Sequence, residues 1–565
     1  MKTKNTAFLI LLVSPLIFAA NCSKKSNPPA PPVLPPTALT LVSTNLNSTV
    51  ALTTVVNYNI SPAVVARLRF NNAVDRSTVP SNIVLTENGS TNVPINLSYE
   101  NRDSTIVLSS SSPLKYLARY SLSASTLLQS INKGKLTSNF AIQFITQIDS
   151  SRKFAALSDN ALLDLVQKET FKYFWDYGHP ISGLARERSN STPETVTSGG
   201  SGFGIMTIPV AINRNFISRA DGLARVKKMV DFLKNNAQKF HGAFPHWLNG
   251  STGAVIPFSP KDNGADLVET SYLVAGLLTA RQYFSGTDPV ETALRNDINT
   301  IYNNVEWDWF RNGSQKVLYW HWSPNFNWEM NLPIRGWNEC LITYILAASS
   351  TTHGIPREVY STGWTANGSN GFTNGNTYYT YPLPLGPAFG GPLFFSHYSF
   401  LGINPNGLSD GYANYQTQTR NHTLINYEYS KANPKNFYGY SDSVWGLTAS
   451  DIQNGYTASS PTNDVSVISP TAALSSFPYT PVESMKALKF FYYVLGDKIF
   501  KEYGFVDAFS LQQLWYANSF LAIDQGPIII MIENHRSKMI WDLLTSCPEV
   551  KNGMKNVLGF SAPYL

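Results

Sequence analysis

Apolar and polar positions follow two rhythms along this chain. Between residues 38 and 148 the period is two: Val64, Ala66, Leu68 and Phe70 alternate with Val65, Arg67 and Arg69. The pattern resumes at Ile106-Val107-Leu108, at Tyr120, Leu122 and Ala124, and at Ile142, Phe144 and Thr146. Turn-formers such as ENGS (87–90) and NKG (132–134) separate these runs. Alternation of this kind predicts strands with one face buried, so 38–148 is expected to be a small β-sandwich. No catalytic cluster falls within it.

From Leu157 the rhythm turns helical. In SDNALLDLVQKETFKYFWDYG, Ser158 can cap the helix, Leu162, Leu165, Val166 and Phe174 form an apolar stripe, and Gly178 can end it. Similar patterns predict helices near 218–239, 266–284, 287–303, 337–350, 483–497, 508–522 and 526–543. Long loops rich in Gly, Asn, Trp and Tyr lie between them, and 361–480 is especially loop-rich. Structured loops of that length usually carry function. The stretch 150–565 suits a helical toroid, in which helix hairpins ring a cavity and the loops build a cleft at one end.

The N-terminus has a third texture. Lys2 and Lys4 precede the apolar run AFLILLVSPLIFAA, which is too short to span a bilayer comfortably and ends at Cys22. This resembles a bacterial lipoprotein signal with Cys22 as the lipidated residue, although Asn21 stands where Gly or Ala is commoner. Residues 23–37 are Pro-rich, an extended spacer that would hold a folded body off a membrane surface. The expected divisions are therefore 1–22, 23–37, 38–148 and 150–565. The expected location is the bacterial cell envelope. SKKS after Cys22 lacks an acidic run, which leans toward the periplasmic side.

Composition narrows the ligand. Charged residues are 14% and aromatics 13% of the 565 residues, against ~25% charged in average soluble domains. Neutral sugars suit such a chain, because their C–H faces pack on aromatic rings. The net charge of +6 is not clustered, so nucleic acid is not an expected partner. Three cysteines support no disulfide framework, and Cys340 and Cys547 are expected to be buried free thiols. No HExxH or CxxC spacing suggests a metal. GGSGFG (199–204) follows no clear strand, which weakens it as a nucleotide motif. A monomer is the default expectation.

Chemistry concentrates in two places. KDNGADLVETSY (261–272) sets Asp262, Asp266 and Glu269 on one helical face, where like charges repel. The helix they open is apolar almost all round and hence buried, and its dipole offsets part of that repulsion. Carboxylates held close split their pKa values into an acid and a base. WHWSPNFNWEMNLPIRGWNEC (320–340) places Glu339 at the start of a second apolar helix, with Trp328 and Trp337 among the flanking indoles. An acid beside apolar rings can stay protonated and act as a general acid. Four polar-aromatic patches add candidate sugar contacts: Arg186 and Arg188, His246 and Trp247, His397 and Tyr398, Asp442 and Trp445.

Several of these stretches carry a resemblance. RLRFNNAVDRSTV, LKYLARYSLSAS and FAIQFIT resemble bacterial immunoglobulin-like domains. SPKDNGADLVETSYLVAGLL, NLPIRGWNECLITYILAASS, GPLFFSHYSFLG, YGYSDSVWGLTASD and DQGPIIIMIENHRSKMIWDLL resemble the bacterial "glucoamylase-like" family of β-1,2-glucanases, glycoside hydrolase family 144. The resemblance covers roughly 150–565. It implies an (α/α)6 barrel that hydrolyses β-1,2-glucan with inversion to short oligosaccharides such as sophorose, needing no metal or organic cofactor. By position Glu339 matches the family's general acid, and Asp262, Asp266 and Glu269 match its acidic cluster. An inverting enzyme needs a carboxylate ~6.5–9.5 Å from the acid with water between. In related enzymes that proton is thought to pass through a substrate hydroxyl or water chain, so Asp262, Asp266, Glu269 and Asp442 all stay open as the base. The expectation is an endo-β-1,2-glucanase. The alternatives are an exo-acting, sophorose-releasing hydrolase or a glycan-binding lipoprotein without catalysis.

Overall fold

A computed structural model describes residues 35–369 and 371–565. The expected signal and Cys22 lie outside the described residues, as does the Pro-rich stretch before residue 35. The chain forms two compact units. One runs to Leu114 and includes Arg119–Ile145; the other comprises Lys115–Ala118 and Thr146–Leu565.

The first unit holds two five-stranded sheets. One is centred on Val65–Phe70, between Leu41–Leu46 and Thr105–Ser110; the other on Arg119–Ala124, between Ile83–Glu87 and Phe140–Thr146. The period-two pattern is the physical cause. Ala66, Leu68 and Phe70 are buried while Arg67 and Arg69 face solvent. Ile106, Leu108, Tyr120, Leu122, Ile142 and Phe144 complete the core.

The second unit is mostly helical, with two kinds of helix. Asp159–Trp175, Arg219–Asn235, Pro289–Asn303 and Pro481–Tyr493 each bury one side only. Ser198–Asn213, Leu267–Tyr283, Leu341–Ser349, Tyr415–Ala432, Pro470–Leu474 and Ala522–Ser537 are buried along most of their lengths. The second set is therefore interior and the first set covers it. Ser198–Asn213 packs along Leu267–Tyr283 and also on Ala522–Ser537. Among the described residues no helix is long and apolar enough to cross a membrane. Cys340 and Cys547 are buried free thiols.

Three sequence expectations need correction. The predicted helix at 508–522 is instead a hairpin, Phe509–Ser510 against Trp515–Tyr516, turned through Leu514 at φ 53°. GGSGFG does follow a short strand, Thr195–Thr197, and opens the Ser198–Asn213 helix. Glycine is a poor helix former, but here it permits close packing. A Cβ on Gly202 would meet Tyr272 O at 2.2 Å, and one on Gly276 would meet Gly202 O at 2.2 Å. Finally, the loop-rich stretch 361–480 hides the Tyr415–Ala432 helix. Its buried face is polar, so it shows no apolar stripe. Gln418 accepts from the Leu385 N–H at 2.9 Å, Asn426 from the Leu447 N–H at 3.0 Å, and His422 pairs with Ser396 at 2.8 Å.

Candidate active site

Three interior helices, Ser198–Asn213, Leu267–Tyr283 and Ala522–Ser537, begin close together. Arg186 bridges to Val196, just before Ser198–Asn213, and Arg188 bridges to Leu521, just before Ala522–Ser537. The Gly199 N–H donates to Glu269 Oε2 at 2.8 Å, linking the starts of Ser198–Asn213 and Leu267–Tyr283. Helix N-termini carry positive potential, so this junction favours carboxylates.

The three acids do not share one helical face as the spacing suggested: Glu269 lies in the first turn of the Leu267–Tyr283 helix, Asp266 caps it, and Asp262 lies in the turn before it. Asp266 Oδ1 accepts from the N–H groups of Val268 (3.0 Å) and Glu269 (2.9 Å). Its Oδ2 accepts from Trp320 Nε1 at 3.2 Å and lies 3.2 Å from His246 Nδ1. A short pairing sets His321 opposite Asp266. His321 Nδ1 lies 3.4 Å from Asp262 and 3.7 Å from Asp266. Burial alone would raise the Asp266 pKa and lower that of His246. Mutual attraction reverses both: Asp266 sits below the usual carboxylate range, and His246, with Glu269 and Asp266 beside it, is pushed up to about 9. His321 is raised in the same way against its burial, by Asp262 and Asp266. Glu269 differs. Burial raises its pKa and His246 only partly opposes this.

Ligand atoms of His246, Asp262 and Asp266 lie within 4.8 Å of one another. Histidine must be neutral to ligate a metal. With Glu269 and Asp266 beside it, His246 serves as counter-charge to these acids.

Glu339 is partly buried just before Leu341–Ser349. Ser399 clamps that entrance: its hydroxyl donates to Glu339 O at 2.5 Å and accepts from the Ile342 N–H at 3.0 Å. Burial pushes the Glu339 carboxyl up to about 7, and the nearby charges of Glu269 and Asp266 raise it further against the backbone.

The structure adds a second acidic group that sequence reasoning missed. Asp451, Asp507 and Asp524 are 9%, 4% and 3% exposed. The Asp451 N–H donates to Asp507 Oδ2 at 2.7 Å; its own carboxylate accepts from Arg188 (3.1 Å) and Ser519 (2.5 Å). The carboxyls of Asp507 and Asp524 act on each other. Burial and each other's charge push Asp507 up to about 7 and Asp524 well above its ordinary range. Asp524 had a legible signal. In DQGPIII it is the acid in the first turn of a buried helix, the same pattern as Glu269. Asp451 and Asp507 are far apart in sequence and gave none. The two acidic groups belong to one site. Glu187 feels the charges of both His246 and Asp451, and Tyr398 feels Asp524, Glu339 and Glu269.

Of the candidate sugar contacts, Arg188, His246, Trp247 and Tyr398 are at this site. The others have different partners. Arg186 donates to the carbonyls of Pro193 and Tyr177. Trp337 and Trp445 are core, 3% and 0% exposed. Trp328 packs on Trp309 with ring centroids 4.7 Å apart. His397 is buried against Ser476, and burial holds its imidazole neutral, with a pKa near 3. Asp442 pairs with Lys486.

Residues 331–548 match the family model described as "Putative glucoamylase". Residues 35–146 match that of a bacterial Ig-like domain. The exo beta-1,2-glucooligosaccharide sophorohydrolase (non-reducing end) of Parabacteroides distasonis is 43% identical over 420 residues. That match takes in 71% of this chain and spans only 58% of the relative's length. The solved beta-1,2-glucanase of Parabacteroides distasonis is 35% identical, covering 93% of this chain and 74% of that one, with a TM-score of 0.69. The endo-beta-1,2-glucanase of Chitinophaga pinensis, solved with sophorotriose and glucose, is 51% identical with a TM-score of 0.70. It aligns with 73% of this chain along 100% of its own length. With acids gathered where its buried helices begin, and identity running the whole length of such a relative, this chain belongs to the glucoamylase-like family, glycoside hydrolase family 144.

Proposed function

We propose that this protein is an inverting endo-β-1,2-glucanase whose six interior helices form the inner ring of an (α/α)6 barrel. The observation that carries the reading is Glu339. Its carboxyl is pushed up to about 7 by burial, and Asp507 and Asp524, two further buried carboxyls of the same site, are raised by burial and by each other's charge. Pairs of carboxyls pushed apart in this way are how a glycosidase divides acid and base roles.

Glu339 gives its proton to O2 of the leaving glucosyl unit as the C1–O2 bond breaks. Water adds to C1 from the opposite face and yields the α-anomer. Its proton passes, directly or through a sugar hydroxyl, to the ionised member of the Asp507–Asp524 pair. Asp266 is the poorer base, since its oxygens already take two backbone N–H groups, the Trp320 indole and His246. It holds the helix start and the charge on His246. Asp262 and Glu269 are likewise engaged, with His321 and with Gly199 and Thr197.

Identity along the whole of the Chitinophaga pinensis endo-enzyme, against 58% coverage of the exo-acting relative, favours endo action. Cys22 is proposed to carry a lipid anchor in the cell envelope. A Cys22→Ser variant that stayed with the membrane fraction would refute that anchor.

The test of function uses the soluble chain lacking residues 1–22. Linear β-1,2-glucan, laminarin, cellulose and starch are digested side by side, and products are followed by chromatography and polarimetry. A ladder of short oligosaccharides from β-1,2-glucan alone, released as the α-anomer, is expected. Disaccharide alone from the first minutes would mean exo action. Binding without any product would mean a capture protein.

A further inference from the structure

Aromatic side chains are costly to leave in water, since each can bury ~150–250 Å². Among the described residues after Thr146, three stand open to solvent: Phe258 (50%), Tyr456 (50%) and Phe326 (39%). Two of the three lie beside the acidic groups: Phe258 against His246 and Tyr456 opposite Asp451.

Phe258 rests on the imidazole of His246, with centroids 4.3 Å apart and planes at 21°, and meets Trp247 edge-on at 4.8 Å. Its loop is a tight turn. The Phe258 N–H donates to Asp262 O at 2.9 Å, and the Asp262 N–H to Ser259 O at 3.0 Å. One short turn thus buries Asp262 (5% exposed) and leaves Phe258 open. Neither packing nor a core contact requires that exposure.

Tyr456 belongs to the hairpin Ala449–Ile452 and Gly455–Ala458, directly opposite Asp451. Cross-strand partners share a sheet face. The phenol therefore lies on the side of Asp451, whose carboxylate holds Arg188 and Ser519 and whose N–H holds Asp507. Burial of its hydroxyl end, with Asp524, Asp507 and Asp451 nearby, keeps the phenol protonated and hence a donor. The Tyr398 hydroxyl lies in the field of Asp524, Tyr456, Glu339 and Glu269 together, which joins the two regions into one cleft.

We propose that Phe258 and Tyr456 are paired stacking platforms for glucosyl units on either side of the bond that is cut. A pyranose offers a flat C–H face to each ring, and Tyr456 can also donate to a sugar oxygen. The occupant is a neutral glucan because the cations beside these rings, His246 and Arg188, are already paired with Asp266 and Asp451. This rests on the glucanase reading above.

The test measures binding of linear β-1,2-glucan by calorimetry to the full soluble chain carrying Glu339→Gln, which binds without turnover. Phe258→Leu and Tyr456→Leu are each expected to weaken affinity about tenfold or more, at unchanged melting temperature. Tyr456→Phe is expected to lose less than Tyr456→Leu. With Glu339 intact, KM should rise more than kcat falls. Unchanged affinity in both leucine variants overturns the proposal. So does an effect at one ring only. Unchanged affinity with a shifted pH profile would make Phe258 a cover for His246, and also overturns it. A wild type that neither binds nor cleaves the glucan overturns the functional reading first and the platforms with it; the wild-type control, run before any variant, separates that failure from the others.

Discussion

In the proposed mechanism Glu339 carries the acid step. Its environment does what a general acid needs: burial and two neighbouring carboxylates hold its proton to about pH 7, while Ser399 fixes its backbone. Glu339→Gln keeps the shape and removes only the transferable proton. Turnover should fall by ~10²–10⁴-fold, the usual worth of a general acid, with the melting temperature unchanged or raised. Steady-state kinetics beside a thermal melt checks both; full activity in the variant would strip Glu339 of the role. Asp266 shows the opposite use of an acid. Its partners spend it on structure, through the cap of its helix and the charge of His246.

Helices carry these residues, and their spacing depends on two glycines. Ser198–Asn213 and Leu267–Tyr283 approach so closely that Gly202 and Gly276 each lie where a Cβ would strike the other helix's backbone. Backbone cannot step aside as a side chain can. Gly202→Ala should therefore force the pair apart and destabilise the fold by ~1–3 kcal/mol, although alanine is the better helix former. Chemical denaturation reads this directly. A stabilised variant would mean that the helices are not held in this contact. The same separation would loosen the Gly199–Glu269 bond, so activity should drop beyond the loss of folded protein.

At the scale of the molecule the site makes stability depend on pH. Glu339 holds a proton in the native state up to about 7 but releases it near 4.5 when unfolded. Its contribution therefore declines as pH rises between those values. His246 is raised from 6.5 to about 9. The stability it contributes is complete below 6.5 and is lost as pH rises through 9. Both shifts act in one direction, so a melt series from pH 5 to 9.5 should show a falling trend across that range. Glu339→Gln should make the portion below 7 shallower, with Asp507 still contributing there, and leave the portion near 9. Catalysis should share the lower limit: kcat/KM loses its acid form above about 7. A rate that keeps rising to pH 9 would contradict this assignment.

Residue pattern alone determined the two textures, the strands of the first unit and most helices of the second. Those signals are local: a period of two or 3.6 repeats within a dozen residues and survives any tertiary context. It also determined Glu339, Asp262, Asp266 and Glu269 as candidates, because acids at the mouth of an apolar helix conflict with burial wherever that helix goes. Only the tertiary structure decided what joins them. Asp451, Asp507 and Asp524 meet from a hairpin, a loop and a helix start, and no spacing within the chain encodes such a meeting. It also sorted the aromatics. Trp337 and Trp445 went to the core, while Phe258 and Tyr456 stayed open over the acids. Composition counts rings, but the packing around each ring determines whether a face remains for a sugar. The glycine helix and the polar Tyr415–Ala432 helix were illegible for the same reason. Their stability comes from contacts with distant segments, such as Gly276 against Gly202 or Gln418 against Leu385, and not from their own propensity.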